Sequence, residues 1–267
     1  MPGSFGLPQA VCVSHDAPLI CLSVCGRWAV PGVVRDRNTD QEGCDNVPRT
    51  CLIVDFGGVL TTSLGQAARG FEAREGLPDG AVDQTWYANP AMVRLTGDLE
   101  CGRITQGGWN RRAARVLGVD DDNLLGRIFA DLRPDERMVA VVARARAAGL
   151  KVGLLSNSVG LAPWDMYRGV DLGTAFDAAL LSEQCGLRKP EPEIYEILLK
   201  MLGVPGEECV FVDDNEGNLP PAEALGMGTV LHREAARTIP RLEELLGVSL
   251  GAGRRPGGPP PAARRRI

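Results

Sequence analysis

The chain has 267 residues, with 29 Lys and Arg against 34 Asp and Glu, a formal net charge of −5, 44% hydrophobic side chains and 24% charged ones. These proportions belong to a globular protein and exclude a collagen-like, mucin-like or wholly disordered chain. The charge is uneven: residues 51–251 hold 20 basic and 29 acidic side chains, and a body of charge −9 repels nucleic acid and anionic lipid.

Residues 1–50 mix Gly, Pro, Asp, Asn and Arg without a sustained period and read as a flexible N-terminal extension. Within them, the stretch from Ala10 to Val24 has no preceding Lys or Arg and is broken by His15 and Asp16, unlike a signal peptide. No apolar run approaches the roughly 18–20 residues of a membrane span. A cytoplasmic location is expected. Eight cysteines stand at 12, 21, 25, 44, 51, 101, 185 and 209, without a CxxC pair and with only two His, so unpaired thiols are expected rather than a zinc site.

From Cys51 the pattern sharpens. CLIVD (51–55) is a short apolar run ending in Asp and followed by a glycine turn, which predicts a buried strand. Helical spacing recurs at 64–76 and within 80–94, 105–117 and 121–132. Pro134 to Gly149 carries the punctuation of a helix at both ends. Strands follow at 151–156, 178–181, 209–214 and 228–232, with helices at 190–202, 219–225 and 233–246. This alternation predicts an α/β fold, a Rossmann-like parallel sheet with a helical cap inserted after the first strand. The expected partition is a core of 51–66 and 134–250, a cap of 67–133, and a disordered Arg/Pro/Gly tail over 251–267.

In an open parallel sheet, ligands bind beyond the carboxyl ends of the strands. Asp55 stands there, as do Ser156 and Asn157, and Asp213 with Asp214, followed by Asn218. Lys189 falls in the turn LRKPEP before a helix. Any one of these has an ordinary reading as a turn, a helix cap or a surface lysine. Adjacent acids at a buried strand end need a counter-charge, and Mg²⁺ suits hard oxygen ligands. Together the residues can form a phosphoryl site, with Asp55 as nucleophile or ligand, Ser156 on a phosphoryl oxygen, Lys189 neutralising charge and Asp213 with Asp214 on the metal. A response-regulator receiver uses the same residue types with the acidic pair first, whereas here the lone Asp leads. The DFG at 55–57 lacks the surrounding motifs of a kinase.

The order DFGGVLTTS, LLSNS, RKPEPEIY and VFVDDNEGNLPPAEALGM resembles the haloacid dehalogenase (HAD) superfamily of hydrolases, over residues 51–248. The nearest likeness is to the subfamily with a small helical cap, which includes phosphatase domains such as the N-terminal one of soluble epoxide hydrolase. The resemblance implies that Asp55 takes up the phosphoryl group and also ligates Mg²⁺. It further implies that Ser156 and the Asn157 amide bind the phosphoryl group and that Lys189 stabilises charge. Asp213 and Asp214 then hold the metal, with Asp214 the more direct ligand, the Gly57 carbonyl can join them, and Asn218 organises the acidic loop. The implied substrate is a small phosphorylated metabolite.

One position departs from the pattern. Gly57 stands where most family phosphatases carry the Asp that protonates the leaving group. Three outcomes stay open: a leaving group that departs unprotonated, a proton from elsewhere, or a phosphate-binding module without turnover. A metal-independent dehalogenase also lacks this acid, but it dispenses with the metal that a full acidic pair implies. Cap candidates for substrate contact are Trp86, Tyr87, Arg94, Asp98, Glu100, Arg103, Trp109, Arg111 and Arg112.

Overall fold

The computed structural model describes residues 47–251. The extension expected over 1–50, except its last four residues, and the tail expected over 251–267, except Gly251, lie outside the described residues, as do Cys12, Cys21, Cys25 and Cys44.

Strand β1 (Cys51–Val54) is followed by helices α1 (Leu64–Glu75), α2 (Ala81–Asp83), α3 (Pro90–Glu100), α4 (Gln106–Leu117) and α5 (Leu124–Ile128). Then come α6 (Glu136–Ala147), β2 (Lys151–Ser156), α7 (Leu172–Ala175), β3 (Ala178–Leu181), α8 (Ser182–Cys185) and α9 (Pro192–Leu202). The chain closes with β4 (Cys209–Asp213), α10 (Leu219–Ala224), β5 (Gly228–Leu231) and α11 (Ala235–Leu246). The sheet order is β3-β2-β1-β4-β5, and every pairing is parallel. This is the α/β, Rossmann-like core with a helical cap after the first strand that the alternation predicts.

The reason is visible in β1. All four residues of CLIV are buried, as expected for the central strand of a sheet covered on both faces. Leu52 and Val54 point into one layer, packing with Met138 and Val141 of α6 and Leu242 of α11. Cys51 and Ile53 point into the other, with Ile194 and Leu198 of α9 and Ala222 of α10. A third apolar cluster, including Phe71, Trp109, Leu124 and Ile128, forms the interior of the cap. The chain enters and leaves the cap side by side: Thr61 bridges Pro134, Thr62 N–H donates to the Arg133 carbonyl at 2.7 Å, and Asp135 N–H donates to the Leu60 carbonyl at 2.9 Å.

Local signals set the helix ends. Asp135 accepts from the N–H groups of Arg137 and Met138 at the start of α6, and Asn89 does the same for Ala91 and Met92 at the start of α3. Gly203 ends α9 in a left-handed conformation, φ 64°. Between α2 and α3, residues Gln84–Ala88 form a π-helical turn that carries Trp86 and Tyr87. Cys51, Cys101, Cys185 and Cys209 are free thiols. No helix among the described residues is long and apolar enough to cross a membrane.

Candidate active site

The parallel register gathers the candidates at one end of the sheet. Val54 pairs with Leu154 on one side and Val212 on the other, so the next residue, Asp55, lies level with Leu155 and Asp213. Asp55 N–H donates to the Val212 carbonyl at 2.9 Å, which extends the ladder by one residue. The side chains of Asp55, Asp213 and Asp214 each offer an oxygen, and these atoms lie within 4.8 Å of one another.

Lys189 reaches this cluster from the turn before α9. It is 1% exposed, and its ammonium donates to Asp213 Oδ2 at 2.6 Å and to the Leu155 carbonyl at 2.9 Å, and pairs with Asp55 Oδ1 at 2.8 Å. All three ammonium protons therefore have acceptors. Burial by itself lowers the lysine pKa, but Asp213 and Asp55 outweigh it and raise it, so the lysine stays charged. Asp213 is wholly buried, and its other oxygen accepts from Asn215 N–H at 2.8 Å and Asn218 Nδ2 at 3.0 Å. Asn218 is itself held by the Tyr195 hydroxyl, which donates to its carbonyl at 2.7 Å.

Burial raises the Asp55 pKa, against the pull of Lys189. Burial and then Asp213 push Asp214 up to about 6. Three close carboxylates facing a single ammonium are short of positive charge, and their all-oxygen donor set fits a hard divalent cation. Gly58 makes this crowding possible. Its φ is +76°, and a Cβ there would run into the Asp214 carboxylate.

Ser156 ends β2, is 1% exposed, and accepts a hydrogen bond from the buried Tyr167 hydroxyl at 2.8 Å. Asn157 ties β2 to the lysine turn: its Oδ1 accepts from Lys189 N–H at 2.8 Å, and its Nδ2 donates to the Lys189 carbonyl at 3.1 Å. At Gly57, a Cβ would meet Leu64 Cδ1 at 3.1 Å and Met166 Cε at 3.3 Å. Apolar side chains thus crowd the position where the resemblance leads one to expect an acid.

A cavity of about 570 Å³, within the range for small-molecule sites, opens over Asp55. Its floor includes Gly57, Ser156, Asn157, Lys189, Asp214 and Asn218, and the cap contributes Trp86, Tyr87, Thr96 and Glu100. Of the cap candidates, only Trp86, Tyr87 and Glu100 line it. Trp109 is wholly buried in the cap, with its indole N–H on Thr96 Oγ1 at 2.9 Å. Arg94, Arg111 and Arg112 are exposed away from it, and Asp98 pairs with Arg103 at 3.1 Å. His232 packs with its Nδ1 2.9 Å from Thr238 Oγ1. The contacts of Tyr167 with Ser156 and of Arg188 with Glu100 carry no local sequence signal, because the partners lie 11 and 88 residues apart.

The comparisons with known proteins agree with this geometry. The profile of the family described as a haloacid dehalogenase-like hydrolase matches residues 50–226. Bifunctional epoxide hydrolase 2 of Rattus norvegicus is 42% identical over 77 residues, 29% of this chain and 14% of that protein. Glyceraldehyde 3-phosphate phosphatase of Methanocaldococcus jannaschii is 33% identical over 100 residues, 37% of this chain and 44% of the other. The chain thus spans less than half the length of either relative. A solved HAD family enzyme from Bacteroides thetaiotaomicron, in complex with magnesium and inorganic phosphate, shares the fold with a TM-score of 0.53. It is 22% identical, and the match covers 69% of this chain and 94% of that one. The strand-end carboxylates, the buried lysine, the fold and the family match lead to one conclusion: the chain belongs to the haloacid dehalogenase-like hydrolases.

Proposed function

We propose that the chain is a Mg²⁺-dependent phosphatase of small phosphorylated metabolites, working through an aspartyl-phosphate intermediate on Asp55. The observation that carries this reading is the placement of the Asp55 carboxylate in the cavity floor, held by Lys189 and close to the carboxylates of Asp213 and Asp214.

In this reading Asp55 attacks phosphorus, the bond to the leaving oxygen breaks, and water then hydrolyses the aspartyl phosphate to release phosphate and restore the carboxylate. Lys189 orients Asp55 and favours its ionised form, against the burial that raises its pKa. The Ser156 hydroxyl and the Asn157 amide donate to phosphoryl oxygens, and Asp213, with its oxygens already held by Lys189, Asn215 and Asn218, fixes the position of the lysine. Asp55, Asp214, Asp213 and the Gly57 carbonyl would hold Mg²⁺, which supplies charge neutralisation for the transferred phosphoryl group. Gly57 offers no proton, which favours substrates whose leaving group departs as a weak base, such as acyl, anomeric or aryl phosphates.

The reading is tested with an aryl phosphate, with and without EDTA, on the natural protein and on Asp55→Asn. Phosphate release that needs the metal and disappears in the folded variant is the expected result. Turnover retained by Asp55→Asn overturns the mechanism, and metal-independent halide release from a 2-haloacid without phosphate release favours a dehalogenase. Gly57 also favours a second reading, a phosphate-binding module without turnover. Stabilisation by beryllofluoride with Mg²⁺, together with no hydrolysis across a broad panel, would select it.

A further inference from the structure

The proposed chemistry occupies Asp55, Ser156, Lys189 and the acidic pair; of the other charged residues that line the cavity, Asp83, Glu100, Arg188, Glu216 and Arg233, two form an ion pair between cap and core. Glu100 ends α3 in the cap and is 8% exposed, whereas Arg188 comes from the core, one residue before Lys189. Glu100 Oε2 lies 2.9 Å from Arg188 Nε, yet this buried oxygen has no aligned hydrogen bond. The guanidinium lies against Gly97, one turn earlier on α3, where a Cβ would come within 2.9 Å of Arg188 Nη1. Ser182 Oγ donates to the Glu100 carbonyl at 2.5 Å, which anchors the end of α3 to the core. Stability does not account for the pair. Burying the Glu100 carboxylate, with the Arg188 side chain still 31% exposed, offsets much of their attraction, and an apolar pair of the same size serves packing as well.

We propose that Glu100 and Arg188 together form the recognition site for the leaving group, one that takes neutral hydroxyls and rejects a second anionic group. This rests on the phosphatase reading and specifies its substrate class: monophosphates of sugars or other polyols. A hydroxyl can donate to the carboxylate and accept from the guanidinium, so it satisfies both partners at once. A carboxylate or second phosphate in the same place is attracted by Arg188 but lies against Glu100, whose carboxylate is almost wholly buried and therefore weakly screened. Trp86, Phe129 and Trp164, which line the same cavity, suit the C–H face of a sugar ring.

The test uses two esters that differ in one group, glucose 1-phosphate and glucuronic acid 1-phosphate, with Mg²⁺ present. The readout is the ratio of their kcat/KM values. The natural protein should prefer the glucose ester by about tenfold or more, the effect of one unfavourable charge contact of ordinary strength. Glu100→Gln frees the guanidinium and should move the ratio about tenfold toward the glucuronic acid ester. Arg188→Gln, with Glu100 intact, should move it the other way. Both esters losing activity in parallel in the two variants would mean a purely structural pair and overturn the proposal, as would a natural protein that does not discriminate. An aryl phosphate assayed on the natural protein keeps the two readings apart. Where even that is not hydrolysed, the phosphatase reading fails. The same ratio is then read from calorimetric affinities for the two esters, and an affinity ratio unmoved by Glu100→Gln overturns the recognition site.

Discussion

The buried hydroxyl of Tyr167 donates to Ser156 Oγ across 2.8 Å, which leaves the serine's own proton free to point at the cavity. The tyrosine is fixed in turn by an edge-on contact with Phe56, ring centroids 4.6 Å apart, so the orientation of Ser156 is set by packing rather than by substrate. Tyr167→Phe keeps the ring and removes only the donor. The expected result is a rise of about fivefold to tenfold in the inhibition constant for inorganic phosphate and in KM, with a stability loss of about 1 kcal/mol. Steady-state kinetics and urea denaturation measure both, and unchanged phosphate inhibition would contradict the positioning role.

Gly58 is needed twice over, for its left-handed backbone and for the room that Asp214 occupies. Gly58→Ala should cost about 1–2 kcal/mol for the backbone alone. It should also displace the Asp214 carboxylate, so that Mg²⁺ no longer raises the melting temperature. A variant stabilised by Mg²⁺ as strongly as the natural protein would show that Asp214 does not hold the ion.

Gly57→Asp tests the missing acid directly. Only the ends of Leu64 and Met166 stand in the way, and both are flexible side chains that can rotate aside. General acid catalysis is typically worth about 10²–10⁴-fold, so turnover of an alkyl phosphate ester should rise at least about tenfold relative to an aryl ester. An unchanged alkyl-to-aryl ratio in a well-folded variant would show that another group already supplies the proton.

Burial, then Asp213, pushes Asp214 up to about 6, so protons compete with a metal ion in the neutral range. As the pH falls through 6 the carboxylate takes up a proton and loses its charge, and the affinity for Mg²⁺ falls with it. Calorimetric titrations at pH 7.5 and 5.5 should show clearly weaker binding at the lower pH. Equal affinities would place the ion on other ligands.

Much of this was open to reading from the amino-acid order because the decisive signals are local. A fully buried strand of a parallel sheet is an uninterrupted apolar run, so CLIV and CVFV mark their own limits, and the polar residue that ends each run must stand at the sheet's carboxyl edge. Asp55, Ser156 and Asp213 were legible for that reason, as was the helical stretch between β1 and α6. What the cap residues do was not legible. A helix presents its charged side chains to solvent or to a cavity according to what packs against it. In the sequence Arg94, Arg111 and Arg112 are as eligible as Glu100; the docking of α3 on the core places Glu100 alone of these four in the cavity wall. The links between distant segments belong to the tertiary structure alone: Tyr167 with Ser156, Asn157 with the backbone of Lys189, Arg188 with Glu100, and Gly58 yielding its space to Asp214. Sequence determined which chemical groups stand at the strand ends; only packing across the sheet and cap decided how each is held and which cap residues line the cavity above them.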